Sequence, residues 1–305
     1  MQLNDSDGNL ISALAERLLD MAQPTADIEF RRSSHDRHAN LLGVSVNAIN
    51  IKEAADECER LIASRRRGQV CVTGVHGVME AQSDPQFRAI LNSSFLTVPD
   101  GTPLVWVGRL QGHRQMGRVY GPDLMIELCR RSVQRGYSHF LYGGNEGVAE
   151  KLAECLKQRI PELQIAGTYT PPFRPLNSDE ETELFERVSA CKPDIIWVGL
   201  STPKQERFIA QYIDRLETKL IVGVGAAFDI HTGRISDAPD WMKPLGLQWL
   251  HRLAQEPRRL WRRYLINNPK FILGIALQMS GLVSHSLQGM EQTSLPPGLT
   301  ERRIT

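Results

Sequence analysis

A mainly parallel α/β sheet with helices on both faces is the predicted fold class, and two patterns predict it. Between residues 41 and 224, short apolar runs of strand character alternate with amphipathic runs of helical spacing, the order that strand–helix–strand units impose. Polar and glycine-containing loops gather where those strands end, most clearly in residues 70–106, VCVTGVHGVMEAQSDPQFRAILNSSFLTVPDGTPLVW. Ligands bind open α/β sheets outside the carboxyl ends of the strands. The expectation is therefore a Rossmann-like sheet with one crevice along that edge, followed by a basic helical C-terminal appendage.

The chain has 305 residues, 41% hydrophobic and 23% charged, enough for one large or two modest domains. A formal net charge of +1 excludes a polycation built for nucleic acid. Cys58, Cys71, Cys129, Cys155 and Cys191 lie far apart without metal or redox spacing, which predicts reduced, buried thiols. The N-terminus carries Asp5, Asp7, Glu16 and Asp27 and lacks a basic start followed by an apolar run, so no secretory signal is expected and the cytoplasm is the expected compartment. Four segments are expected: a peripheral arm over 1–40 with a helix at 10–21, an α/β core over 41–240, a basic amphipathic appendage over 241–285 and a flexible tail over 286–305.

The first strand is expected at 41–46, LLGVSV, and a helix at 51–64 with Ala54, Ala55, Cys58, Leu61 and Ile62 at helical spacing. A strand then ends at Thr73. The loop Gly74-Val75-His76-Gly77, a helix over 80–91, a strand over 95–98 and the turn Pro99-Asp100-Gly101 follow. Thr73, His76 and Asp100 are expected to face one crevice. Asp100 is either a catalytic carboxylate or ordinary turn chemistry; His76 is either polar lining or a satisfied histidine. Helices are expected at 104–110 and 124–135, with Arg118 in the loop before the second, by itself a solvated loop arginine.

A strand over 138–141 runs into Tyr142-Gly143-Gly144-Asn145-Glu146-Gly147. The backbone N–H groups of such a loop can approach phosphate at a helix N-terminus, or the loop is a tight turn and nothing more. It is not the full dinucleotide fingerprint. The next strand, over 164–167, is followed by Thr168 with no acid for a ribose diol, which argues against a nicotinamide cofactor. Residues 171–175, PPFRP, form a rigid loop near the site. Helices at 179–190 and 203–216 alternate with strands at 195–198 and 220–224. Thr202, Pro203 and Gln205 spell a capping box, while Lys204 and Glu206 beside them point to ligand contact. Asp229, after the small residues Gly225-Ala226-Ala227, binds a hydroxyl or caps the following turn. Asp5-Ser6-Asp7 matches an acidic metal triplet but follows no strand and reads as accidental.

Residues 241–270 carry Lys243, Arg252, Arg258, Arg259, Arg262, Arg263 and Lys270 against Glu256 alone. On a helix opened by Pro257, the pairs Arg258/Arg262 and Arg259/Arg263 are expected on one side, with Leu260/Trp261 and Tyr264/Leu265 on the other. That arrangement suits an anionic membrane surface; the same arginines, Arg258 and Arg259 among them, alternatively reach a diphosphate, or decorate a solvated face. Residues 271–283, FILGIALQMSGLV, number thirteen, too few for the roughly 20 needed to span a bilayer.

Taken in order, these segments resemble the bacterial WecG/TagA/CpsF glycosyltransferase family from about residue 41 to residue 265. The marks are the Thr73 strand end, Pro99-Asp100-Gly101, Arg118-Val119 with Gly121 and Asp123-Leu124, Leu141-Tyr142-Gly143-Gly144, and Val198-Gly199 with Pro203-Lys204-Gln205-Glu206. Val224-Gly225-Ala226-Ala227-Phe228-Asp229, Gly246-Leu247-Gln248-Trp249-Leu250 and Glu256-Pro257-Arg258-Arg259 complete them. The resemblance implies a single α/β domain whose basic appendage helps complete the site at the membrane. It implies inverting transfer from a UDP-sugar to a polyprenyl-diphosphate-linked saccharide. It assigns the catalytic aspartate to Asp100, the phosphate-facing arginine to Arg118, the strand-end threonine to Thr73 and the nucleotide-side glutamine to Gln205. Teichoic-acid members usually show Thr-Pro-Asn where this chain has Thr73-Gly74-Val75, which fits an exopolysaccharide branch better.

The expected activity is metal-independent glycosyl transfer without a cofactor, by an enzyme peripheral on the inner face of the cell membrane. A homo-oligomer is left open, as is the donor sugar. The alternative class is a non-catalytic nucleotide-sugar-binding or scaffold subunit of a polysaccharide complex.

Overall fold

The computed structural model describes residues 37–287. The expected helix at 10–21 and the Asp5-Ser6-Asp7 triplet lie outside the described residues.

The described chain opens on a hairpin, not on a strand of the main sheet. β1 (His38–Leu41) and β2 (Val44–Asn47) pair antiparallel in a sheet of their own. The single strand expected over 41–46 is broken by Leu42 and Gly43, both left-handed at φ 55° and 83°. A leucine at positive φ is rare, and Leu41, Leu42, Val44 and Val46 are all buried apolar residues, which makes the run look continuous. α1 (Ile51–Ala63) is opened by a reciprocal capping box between Asn50 and Glu53.

β3 (Gly68–Thr73) is followed by two helices, α2 (Val75–Ser83) and α3 (Pro85–Ser93), where one was expected over 80–91. Pro85 lacks the N–H that a continuous helix requires. Asp84 instead caps the second helix, accepting from Phe87 N at 2.9 Å. α2 already begins at Val75, so His76 stands in a first helical turn and not in a loop. Next come β4 (Leu96–Pro99), α4 (Thr102–Leu110), α5 (Gly121–Arg135), β5 (Ser138–Gly143), α6 (Val148–Arg159) and β6 (Gln164–Tyr169). α7 (Ser178–Cys191), β7 (Ile195–Gly199), α8 (Lys204–Tyr212), β8 (Leu220–Gly223) and the short α9 (Ala227–His231) complete the core.

Six strands form one parallel sheet in the order β4-β3-β8-β7-β5-β6. Period-2 alternation sends Ile195 and Trp197 into the core on one face and Ile196 and Val198 into that on the other. Helices therefore cover both faces, and every strand presents its carboxyl end to one edge.

The C-terminal segment is fastened to the N-terminal hairpin. A 3₁₀ turn (Asp240–Met242) leads to α10 (Gln248–Gln255), α11 (Pro257–Leu265) and α12 (Asn267–Met279). Phe271 and Ile275 of α12 enter the core formed with Leu41, Leu42, Val44 and Val78. The Gln278 amide accepts from Leu42 N and donates to Asn40 O, each at 2.9 Å.

α11 departs from the expected division into a basic and an aromatic side. Leu260 is buried, Tyr264 and Arg263 are half-buried beside it, and Trp261 and Leu265 are exposed together with Arg258 and Arg262. At 100° per residue, positions 260, 263 and 264 share an inward arc that one docked helix face covers, and it takes in one arginine. Among the described residues no helix is long and apolar enough to cross a membrane.

Candidate active site

Strand ends, glycine loops and the appendage enclose a cavity of about 630 Å³ at the carboxyl edge of the sheet. Asp100, one residue past β4, stands on its wall. Its backbone continues the sheet, with Asp100 N donating to Thr73 O at 2.9 Å. Its carboxylate accepts one long hydrogen bond, from Gly121 N to Oδ1 at 3.4 Å. Burial raises its pKa above the ordinary carboxylate value; the Arg118 cation and the Gly121 N–H pull the other way. A carboxylate so lightly bonded in a partly desolvated cleft has the character of a proton acceptor.

Arg118 is not on the cavity wall. Its Nε donates to the Asp100 carbonyl oxygen at 2.8 Å, its Nη2 donates to Gln248 Oε1, and its guanidinium lies 4.0 Å from the Tyr120 ring centroid. Tyr120 OH and Gln248 Nε2 in turn donate to Asp237 Oδ1, at 3.0 and 2.9 Å, and Lys243 pairs with Asp237 at 2.9 Å. This network ties α10 to the loop that carries Asp100.

Arg263, from α11, is the cavity arginine that no carboxylate engages among the described residues. Its buried Nε has no hydrogen-bond partner, and among the described residues it makes no ion pair. Burial holds its pKa below the usual guanidinium value, partly offset by Tyr264 and Asp100. Arg252 and Arg259 also line the cavity, but both are engaged by Glu256, at 2.9 and 2.6 Å. Composition identified this helix as basic; its docking angle selects the arginine.

His76 lines the cavity, and Asn267 Nδ2 lies 3.3 Å from its Nδ1. Burial first, then the Arg263 cation, lower its pKa to about 4, so at neutral pH it is an uncharged wall residue. Thr73 does not line the cavity: it is buried, and its hydroxyl lacks a partner beside Gly77. Tyr142 and Gly144 line it, whereas Gly143 (φ 122°) is pressed against Gly199, where a Cβ would meet backbone at 2.7 Å. Lys204 is on the wall and exposed. Asp229 is on the wall and paired with Arg234 at 3.2 Å. Arg258 is exposed and off the wall.

The capping box expected at Thr202 does not form: Pro203 occupies the cap position, without a side-chain cap bond. Thr202 Oγ1 donates instead to Glu206 Oε1 at 2.8 Å, and Gln205 Nε2 donates to the same atom at 2.9 Å. Gln205 Oε1 accepts from Gly225 N at 2.9 Å, and its side chain lines the cavity. Glu206 lies behind it, fully buried, one oxygen unpartnered and its pKa raised by that burial. These three side chains join the β7 and β8 loops rather than cap α8.

The model of the Glycosyl transferase WecG/TagA/CpsF family matches residues 39–283. The chain belongs to this family. It is 31% identical over 196 residues to an N-acetylglucosaminyldiphosphoundecaprenol N-acetyl-beta-D-mannosaminyltransferase of Bacillus spizizenii, covering 64% of this chain and 74% of that one. A protein of the same description from Bacillus subtilis is 29% identical over 227 residues, 74% of this chain and 86% of that one. The chain is a glycosyltransferase. The relatives' names concern N-acetylmannosaminyl transfer, so the exopolysaccharide branch expected from Thr73-Gly74-Val75 finds no support in them. Matched residues in this glycosyltransferase run through α12, so the appendage falls within the family's extent.

Proposed function

We propose that this glycosyltransferase moves a sugar from a UDP-sugar to a polyprenyl-diphosphate-linked saccharide with inversion, in synthesis of a bacterial surface polysaccharide. The acceptor hydroxyl oxygen attacks the anomeric carbon, the bond from that carbon to the UDP oxygen breaks, and the hydroxyl proton passes to Asp100. The observation that carries the reading is the presence, around one cavity, of a lightly bonded carboxylate and of a half-buried arginine without an ion pair among the described residues, Arg263. UDP departs with growing negative charge, and a fixed cation in a water-poor site stabilises that charge in the transition state. Arg118 serves here as a positioning residue for Asp100.

The relatives' names make an N-acetylmannosaminyl donor with a lipid-linked N-acetylglucosaminyl acceptor the first pair to assay. Attachment to the inner face of the cell membrane belongs to the same reading. Trp261, Leu265, Ile272 and Leu273 of α11 and α12 are all exposed, with Arg258 and Arg262 beside them. Apolar side chains flanked by cations suit the boundary of an anionic bilayer. The decisive experiment is UDP release on mixing the chain with a UDP-sugar panel and a short-chain prenyl-diphosphate saccharide. Release that needs both substrates and is lost in Asp100→Asn is expected. A chain that binds UDP-sugar and turns none over is a binding subunit instead.

A further inference from the structure

Two loops of the cavity wall are joined behind it by one acid. The loop after β7 brings Ser201 and Thr202 to the wall, and the loop after β8 brings Gly225 and Ala226. Thr202 Oγ1 and Gln205 Nε2 both donate to Glu206 Oε1, at 2.8 and 2.9 Å, and Gln205 Oε1 accepts from Gly225 N at 2.9 Å. Gln205 is on the wall; Glu206 is not, and it is 0% exposed. Its Oε2 is buried without a partner, and among the described residues no cation forms an ion pair with it.

We propose that Glu206 is a positioning residue for the transfer reaction, an uncharged acid that fixes the Gln205 amide on the cavity wall; this rests on the reading of that cavity as the donor's site. The bonding pattern is that of a carboxylic acid and not of a carboxylate. A fully buried carboxylate without a paired cation is costly, and this one would leave one oxygen bare. A protonated Glu206 carries its hydrogen on Oε2, while Oε1 keeps both incoming bonds. Burial raises the pKa in the same sense, against the Gln205 and Thr202 bonds and the Arg263 cation.

A glutamine amide has a donor end and an acceptor end, and nothing in its own geometry decides between the two ways of turning it. Here Glu206 Oε1 accepts and Gly225 N donates, so the Gln205 side chain has one satisfied orientation. A ligand then meets an amide that needs no reordering on binding. The absence of charge on Glu206 matters as much as its bonds. An ionised carboxylate behind the wall would oppose the Arg263 cation, and a departing UDP needs that cation uncompensated. The neutral acid supplies the acceptor and leaves the field positive.

The test joins calorimetric titration of the full chain with UDP to infrared spectroscopy. Glu206→Leu is expected to weaken UDP about tenfold, the loss of one buried hydrogen-bond partner. Glu206→Gln, which keeps an acceptor and a donor in the same places, is expected to recover most of that loss. The pair Gln205→Leu with Glu206→Leu should bind no worse than Gln205→Leu alone, because the acid acts through the amide. Should Glu206→Leu fail to fold, Glu206→Asp, too short to reach both donors, takes its place with the same expectation. At neutral pH the wild-type spectrum is expected to contain the carbonyl stretch of a protonated carboxyl that Glu206→Gln lacks. Additive losses, or full UDP affinity in Glu206→Leu, overturn the positioning role; absence of the band overturns the uncharged acid. These outcomes leave the donor reading standing, whereas a wild-type chain that shows the band and binds no UDP overturns that reading and the proposal with it.

Discussion

Arg118 holds Asp100 by its backbone and not by its carboxylate: the guanidinium Nε donates to the Asp100 carbonyl oxygen at 2.8 Å. The carboxyl group is left with one long bond, from Gly121 N at 3.4 Å. An ion pair would have stabilised the carboxylate and weakened it as a base. Grip on the carbonyl fixes where the side chain starts while keeping its oxygens available. The cation still acts through space, lowering the Asp100 pKa against the larger effect of burial.

Removal of that cation should therefore be visible in the pH profile. The base is active when ionised, so activity rises with pH through its pKa. In Arg118→Ala the acid limb of kcat/KM is expected at higher pH than in the wild type, together with a large fall in kcat and a modest change in stability. Arg118→Lys should not restore the profile, because an ammonium lacks the fork that reaches Asp100 O and Gln248 together. A limb that stays in place would show that Arg118 does not govern Asp100.

Asp100→Asn separates function from stability. A general base contributes roughly 10²- to 10⁴-fold, and a loss of that order in transfer is expected. Because the folded-state pKa is raised, the native protein binds a proton more tightly than the unfolded chain does. The stability this group contributes is complete below the ordinary carboxylate pKa and is lost as pH rises through the raised one. At neutral pH the neutral amide should therefore raise Tm while activity falls. Transfer within a few fold of wild type would remove Asp100 as the base.

Arg263→Gln should cost more than Arg259→Gln. Arg263 is the cavity arginine without an ion pair among the described residues, whereas Arg259 is already engaged by Glu256 at 2.6 Å. A fall of about 10²-fold in kcat is expected for the first, with thermal melting as the control on folding. Equal effects would mean that the appendage cations act as a diffuse field.

Deleting the chain after Asp240 would strip Phe271 and Ile275 from the core they share with the hairpin as well as removing the exposed apolar side chains. Loss of one buried phenylalanine side chain alone costs about 3–5 kcal/mol, so the truncated chain should melt far lower. The cleaner variant is Trp261→Glu with Ile272→Glu, both exposed. Sedimentation with anionic vesicles should be lost and Tm retained. Unchanged vesicle binding would place membrane contact elsewhere on the chain.

The order of strands and helices, the polar edge and the identity of Asp100 as a strand-end acid were legible because each rests on local pattern. Apolar periodicity marks a strand or a helix whatever its neighbours are, and Pro99 and Gly101 mark a turn wherever it lies. The Leu42–Gly43 turn and the Asp84–Pro85 break escaped for local reasons too. The first uses a residue that rarely adopts positive φ, and the second is a boundary within an otherwise helical pattern.

What the sequence by itself determined is the set of groups available: one acid at a strand end, glycines that let loops approach closely, and a cluster of arginines near the C-terminus. Only the tertiary structure decided which of them meet. Arg118 turned to the Asp100 backbone because Gln248 and Tyr120 hold its other face, Gln205 and Thr202 joined Glu206 instead of capping a helix, and Arg263 entered the cavity because Leu260 anchors α11. The physical reason is range. Propensity and patterning act over a few residues, whereas the direction of a charged side chain depends on which distant surface packs beside it.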